Sequence, residues 1–431
     1  MRWPEPKAPV RMERIAVVAP SDKIRDALMG VGEAGIVQFD APEQAGRTEP
    51  LAVEEQVHAY AAKAVTRDGV VALAGWCPST AVDRLATRLR SAAAAVVVLP
   101  HPPGGDPPTL LGATNRLDQS FTPLVRTYGT VPYRDIDPTV PAGTAYVVMF
   151  GMMFGDAGHG LVLLAMALLV RGGRIRRLAG LRRVWPFIAA AGAAATVFGA
   201  LYGEFFGPTG LLPVLWLAPL DEPMALMATA VAVGAMLLAL AYGVGIVNRW
   251  REGGLGLALY ASTGIAGAAV FLGIAVIVGA VLIGTVPVMI IGGVLATAGL
   301  IFAAAGLYGE SGGGADGVAQ AGIGLFDLLV RMGSSIVSFA RLAAFGITHA
   351  ALGWVVWTAT VSLARGGPFA IVGAALVFAV GNVLAFALEA LVAGIQALRL
   401  EYYELFSRVF LGEGIPFRPW RIATVDHQES T

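Results

Sequence analysis

The sequence predicts a polytopic α-helical membrane protein that carries a small N-terminal α+β domain. Three observations point there. Of 431 residues, 56% are hydrophobic and only 14% charged, where soluble domains carry roughly 25% charge. Mean hydropathy is +0.69. Long apolar runs follow one another from Tyr146 onward, whereas the residues before them alternate between short strand-like and helix-like patterns.

The first 135 residues divide as follows. Glu13 to Pro20 is strand-like, Ser21 is placed to cap a helix running to Gly30–Gly35, and Ile36 to Phe39 returns as a strand. A polar stretch, Pro42 to Pro50, leads to a short helix over Val53–Val65. The pattern then repeats, with Gly69–Trp76 as strand, Ser79–Ala95 as a Ser-capped helix and Val96–Pro100 as strand. Two such β-α-β units predict a ferredoxin-like sheet with helices on one face. Pro102 to Pro108 reads as a linker. Residues 1–14 are Pro-rich and charged without an apolar core, so no signal peptide is expected and this domain should stay in the cytoplasm.

Composition excludes some classes. With 30 basic and 30 acidic residues the formal net charge is zero, which argues against nucleic acid as a partner. The single cysteine, Cys77, rules out an internal disulfide and a Cys-based metal site.

The membrane part is expected over residues 136–410, followed by a cytoplasmic tail, 411–431. Six apolar spans read as 184–206, 224–248, 257–283, 286–308, about 320–363 and about 368–408. The stretch 141–170 is interrupted by Gly151, Gly155, Asp156, Gly158, His159 and Gly160. The loop Arg171–Arg183 holds six arginines and belongs inside by the positive-inside rule, so two passages must precede it. Residues 141–155 and 158–170 then form a hairpin of two short arms, giving about eight segments with both termini cytoplasmic. Gly207–Pro223 has no Lys or Arg and falls outside; the loop Asn248–Gly254 falls inside; Arg365 is left outside, against the rule. Segment seven, at roughly 1.5 Å per residue, is about twice the hydrocarbon thickness. It should either break near Gly333 or cross steeply tilted, and segment eight shares the excess.

Deep charges concentrate in those last two segments. Arg341 lies mid-segment, where a permanent cation costs about 2.5–3.5 kcal/mol and marks a functional site. His349 follows it by eight residues; in segment eight Arg399 follows Glu389 by ten. Antiparallel packing puts Arg341 level with Arg399 and His349 level with Glu389, with Asp327 about 21 Å to the cytoplasmic side. That order, acid and histidine outside, arginines in the middle, acid inside, has the polarity of two aqueous half-channels separated by a cationic barrier. Plainer readings stand beside it. An arginine near a helix end snorkels, a buried His or Glu can be a helix-packing hydrogen bonder, and Asp156 in a Gly-rich turn can be a turn-former. Glu401 and Glu404 suit headgroup level, and Glu204 marks an outer helix end.

Several motifs carry a resemblance to a known family. Phe150-Gly-Met-Met-Phe-Gly-Asp-Ala-Gly-His-Gly160 is similar to the signature turn of subunit a, or subunit I, of rotary V/A-type ATPases. The segment Tyr128–Thr139, Gly75-Trp76-Cys77-Pro78, the +8 spacing from Arg341 to His349, the +10 spacing from Glu389 to Arg399, and Gly412-Glu-Gly-Ile-Pro-Phe417 resemble that family as well. The resemblance runs over about residues 13–420. It implies a stator membrane subunit in which Arg341 faces the carboxylate of a rotating proteolipid ring, supported by Arg399. Glu389, His349, Asp156 and Glu204 would lie on the outer half-channel and Asp327 near the inner one. The transported ion would be H⁺ or Na⁺, with no cofactor. Implied partners are the proteolipid c-ring, peripheral stalk subunits, a central-stalk or collar subunit, the lipid bilayer and, indirectly, an ATP-hydrolysing head. The implied location is a prokaryotic plasma membrane.

No Gly-x-x-x-x-Gly-Lys-Ser/Thr loop occurs, so nucleotide chemistry is not expected in this chain. The cytoplasmic arm departs from the family in being about half its usual size or less, with Pro42–Val65 in place of long helices. Gly333-Ser334-Ser335 stands where an Asn-Ser/Thr pair is common. Two other classes remain open: a non-conducting membrane anchor or assembly scaffold, and an ion-coupled secondary transporter, which would need inverted repeats and a midplane site.

Overall fold

The computed structural model describes residues 8–40, 53–102, 105–112, 115–173, 176–409 and 414–422. The polar stretch Pro42–Pro50 and the start of the 412–417 motif lie outside the described residues. The chain forms two compact units: one holds the N-terminal sheet, residues 129–134 and the segment from 414; the other holds 115–128 and the chain from Asp135 to Val409.

In the first unit, β1 (Met12–Pro20), β2 (Gln38–Phe39), β3 (Val65–Arg67), β4 (Val70–Pro78) and β5 (Ala95–Leu99) form one antiparallel sheet. Its order, β2-β4-β1-β5 with β3 paired to β4, is the one that two interleaved β-α-β units produce. Val-rich strands alternate inward and outward, so Ile15, Val17 and Leu73 meet Leu28 and Val31 of α1 (Ile24–Ala34) and Leu85 and Leu89 of α3 (Val82–Leu89) in one core. Helix α2 (Val53–Ala61) adds Val57.

Three expectations need correction. Ser21 does not cap α1; Lys23 holds that position, and Ser21 Oγ donates to the Gly69 carbonyl at 2.9 Å. Ser79 begins a 3₁₀ turn, and α3 ends at Leu89, not Ala95. The helix expected over Val53–Val65 ends at Ala61, and Val65 instead opens β3, which the Asp68-Gly69 hairpin turn, both residues at positive φ, joins to β4.

The C-terminal segment joins this same unit. Trp420 N–H donates to the Val37 carbonyl at 2.8 Å and Ile422 N–H to Gly32 at 3.2 Å. The Trp420 ring packs on Phe39 and Tyr60, with centroids 5.9 and 4.9 Å away.

The second unit is helical. After α4 (Arg116–Tyr128) come eight apolar helices among the described residues: α5 (Thr139–Met153), α6 (Ala157–Arg171), α7 (Trp185–Tyr202), α8 (Pro223–Tyr260), α9 (Ile265–Ile283), α10 (Val286–Glu310), α11 (Gly314–Ala364) and α12 (Pro368–Leu400). Five of them, α7, α8, α10, α11 and the α12 region, are long and apolar enough to cross a membrane; α5, α6 and α9 are shorter apolar helices. Helices α5 and α6 have 15 residues each, about 22 Å, short of the ~30 Å hydrocarbon core.

The expected loop Asn248–Gly254 is instead helical up to a break at Gly253 and Gly254, the latter at φ +73°. Asn248 is fully buried there: its Oδ1 accepts from Ile136 N–H at 3.0 Å and its Nδ2 donates to the Val409 carbonyl at 2.9 Å. Arg249, also buried, pairs with Glu252 at 2.5 Å. Gly333 interrupts nothing, since α11 is one continuous helix of 51 residues. Helix α12 runs on into a π-helical turn, Glu401–Phe406, which buries Glu401.

Candidate functional site

The site begins at the turn between α5 and α6. Asp156 caps α6, accepting the His159 N–H on Oδ1 at 2.9 Å. The same carboxylate accepts Phe206 N–H on Oδ1 at 3.0 Å and Gly207 N–H on Oδ2 at 2.7 Å. A fully buried Asp156 thus ties the hairpin to the chain that leaves α7.

Small residues make this possible. A Cβ on Gly199 would stand 2.0 Å from the Ala157 nitrogen, so α7 approaches the turn only as glycine. Gly207 has φ +88°, and a Cβ there would meet the Gly353 carbonyl of α11 at 2.8 Å. Within the Gly-rich signature itself, a Cβ on Gly160 would stand 2.4 Å from the Thr196 nitrogen of α7, so that glycine too is a packing requirement.

Helices α11 and α12 complete the cluster. His349, 4% exposed, presents Nδ1 to Glu389 Oε2 across the two helices. The rings of His159 and His349 lie edge to face at 5.6 Å between centroids. Phe154 packs on both imidazoles (5.8 Å to His159, 5.1 Å to His349), while Phe206 and Phe386 pack on His159 at 5.2 and 5.8 Å. His159 Nδ1 stands 3.8 Å from Asp156 Oδ1. Neither of its ring nitrogens makes a hydrogen bond of good geometry, although Asn382 lies beside it. Two imidazoles and two carboxylates thus sit inside an aromatic wall.

Glu204, 4% exposed, lines a separate cavity of about 410 Å³ with Tyr202, Asp221 and Trp354. A second cavity, about 370 Å³, is lined by Ser335, Glu404, Tyr402 and Arg331 among others; in it Ser335 Oγ donates to Glu404 Oε2 at 2.5 Å.

Arg341 lies between them on α11, six residues after Ser335 and thirteen before Trp354, roughly 9 and 20 Å along the axis. Its Nη1 donates to Gln396 Oε1 at 3.1 Å. Arg399, one turn further along α12, is exposed. Asp327 is exposed and pairs with Arg331 at 2.8 Å.

The structure therefore brings His349, Glu389 and Asp156 together with His159 and places Glu204 at a neighbouring cavity. It leaves Asp327 apart on the surface. Gln396, Asn382 and the aromatic wall escaped the sequence reading. The signal for Gln396 was present: it follows Glu389 by seven residues and precedes Arg399 by three, which is one helix face.

Such a fold and cluster define a class: helical membrane proteins that hold ionisable side chains away from lipid. Residues 57–183 match the model of the V-type ATPase 116 kDa subunit family. Over 352 residues the chain is 28% identical to the A-type ATP synthase subunit I of Aeropyrum pernix, covering 71% of this chain and 50% of that protein. It is 24% identical to the subunit I of Methanocaldococcus jannaschii over 80% of this chain and 54% of that one. A segment of 100 residues, 22% of this chain and 12% of the relative, is 30% identical to the V-type proton ATPase subunit a of Neurospora crassa. These matches make the chain similar to the V/A-type ATPase subunit a/I family. It spans about half the length of the A-type relatives matched across most of the chain.

Proposed function

We propose that this chain is a stator membrane subunit of a V/A-type rotary ATPase, conducting H⁺ or Na⁺ between two half-channels that Arg341 separates. One observation carries the reading: two cavities, each lined in part by acidic side chains, lie on either side of Arg341 along α11, and the acid–histidine cluster lies on the Trp354 side of it. An ion path needs polar groups in lipid only where it runs, and a fixed cation between two such paths stops leakage. Exposed Arg399 and the apolar flank of α11 and α12, with Val337, Val383, Leu388 and Leu391 uncovered, suit a partner carrying a carboxylate within a hydrophobic surface. A ring of proteolipid subunits has that chemistry.

In this reading Glu204, Glu389, His349 and Asp156 serve the outer path, Asp327 stands near the inner one and Arg399 supports Arg341. The Arg-rich stretch 171–183 places that end of α6 in the cytoplasm, with both termini on the same side and eight segments in the membrane. The sheet unit is the shortened arm that meets stalk and collar subunits. The ATP-hydrolysing head acts through them.

A second reading is a non-conducting anchor, in which the buried polar groups serve only as helix-packing hydrogen bonders. A tagged pull-down from native membranes followed by ATP-driven ion uptake separates the two. Recovery of proteolipid and head subunits, with uptake abolished by Arg341→Ala and assembly intact, supports the stator. Recovery with uptake indifferent to Arg341 supports the anchor, and the absence of rotary partners overturns both.

A further inference from the structure

His159, which the proposed ion path does not require, faces Asp156 and His349 with both ring nitrogens short of a partner while 3% exposed. One donor atom from each of the three residues lies within 4.8 Å of the other two, and all three side chains are buried. Two imidazoles and a carboxylate are the donor set of a zinc site, with Zn–N and Zn–O bonds of about 2.0–2.2 Å. Two ligands on one tetrahedral ion stand roughly 3.4 Å apart by those bond lengths, so the three atoms close on a metal through side-chain shifts of about an ångström or less.

The surroundings fit as well. Glu389 abuts Nδ1 of His349, which is how a ligating imidazole is oriented: one nitrogen toward a carboxylate, the other free for the ion. Asp156 is fixed by three backbone N–H groups, so it is a rigid ligand whose Oδ2 has accepted only one of them. Phe154, Phe206 and Phe386 pack on the rings and hold them in place, and Glu389 adds a second negative charge to balance a dication. Hard oxygen-seeking ions such as Mg²⁺ would be poorly served, because two of the three donors are nitrogen.

We propose that Asp156, His159 and His349 form a binding site for a divalent transition metal, zinc by its donor set, and that the bound ion closes the outer ion path. Binding stands on the geometry alone, whereas closure rests on the conducting reading above. A metal there occupies the nitrogen of His349 and the carboxylate of Asp156 that a passing ion would use.

The test titrates the full chain, purified without a histidine tag, with Co²⁺ as a spectroscopic probe and Zn²⁺ as competitor. The expected result is one Co²⁺ per chain with the intense visible bands of a four-coordinate site, a solvent oxygen completing the three protein donors, displaced by Zn²⁺. Affinity should be at least tenfold weaker in His159→Gln and in His349→Gln, and unchanged in Cys77→Ser. Zinc-edge X-ray absorption of the wild type needs no variant and should count two imidazoles. No stoichiometric binding, an all-oxygen shell, or unweakened binding in both Gln variants overturns the site. Zn²⁺ added to the assembled complex should arrest ATP-driven uptake, and a chelator should restore it; full-rate uptake with the metal bound overturns closure. If the metal binds but the metal-free complex moves no ions, the conducting reading falls and the site stands.

Discussion

Arg341 donates to Gln396 at 3.1 Å, so the cation of α11 is held by a neutral amide of α12 and not by a carboxylate. An amide orients a guanidinium without cancelling its charge, which leaves that charge available to a second chain. Gln396→Glu should therefore be more damaging than Gln396→Ala. The new carboxylate would form a close ion pair with Arg341, and we expect ATP-driven uptake to fall at least tenfold in the assembled complex. Gln396→Ala should cost only a few-fold. Equal uptake in the two variants would contradict this role for the amide.

Asp156 joins α6 to the loop after α7 through three backbone N–H groups at 2.7–3.0 Å. Hydrogen bonds to a charged group contribute about 1.5–3 kcal/mol each, and orphaned buried donors add to the loss. Asp156→Ala should lower the thermal midpoint of the detergent-solubilised chain by several degrees. Asp156→Asn, which keeps an acceptor, should lower it by clearly less.

Gly199 is the closest approach between α7 and the hairpin, with no room for a methyl group. Gly199→Ala forces the two backbones apart, at a cost on the order of 3 kcal/mol by analogy with overpacked cores. A thermal shift assay and the yield of folded protein measure it. Gly243→Ala, where a Cβ meets nothing within 4 Å, is the control and should be neutral.

Trp420 closes the core of the sheet unit from the far end of the chain, against Phe39 and Tyr60. Trp420→Ala removes a buried aromatic, which costs about 3–5 kcal/mol. Limited proteolysis should then cut within residues 8–102 at least tenfold faster, while Trp420→Phe should recover most of the protection.

Cys77 is buried in the same core, and burial pushes its thiol up to about 11 from 9.0. The raised value means the folded state favours the neutral thiol. Its contribution is complete below pH 9 and is lost as pH rises toward 11. A maleimide should react with Cys77 at least tenfold faster in denaturant than in the native protein at pH 7.5. In Cys77→Ala, the fall in stability between pH 9 and 11 should be shallower. Rapid native labelling would argue against this environment.

Sequence and structure divide the work along physical lines. Helix and strand periodicity are local, so the strands of the first unit and the apolar helices of the second could be read from residue order, with ends off by a few positions. Spacing along one helix is local too: eight residues from Arg341 to His349 and ten from Glu389 to Arg399 are fixed by a rise of about 1.5 Å per residue. With α11 and α12 antiparallel and Arg341 set level with Arg399, those numbers bring His349 near Glu389; the two side chains are in contact, although it is Gln396, one turn before Arg399, that meets Arg341. Ser21 does not cap α1 because its hydroxyl donates to the Gly69 carbonyl, 48 residues away, and Ser79 lies one 3₁₀ turn before α3.

What only the tertiary structure decided are the contacts between residues far apart in the chain. The sequence alone determined a helical membrane protein with rare charges at set intervals. It did not determine that Asp156 would be held by Phe206 and Gly207, that Gln396 would take Arg341, or that the His159 ring would stand edge to face with that of His349. Those depend on which glycines let which backbones approach, as at Gly199 and Gly207, and no local period encodes that. The same holds for Trp420, whose place in the N-terminal core is settled by hydrogen bonds to Val37 and packing on Phe39, more than 380 residues upstream.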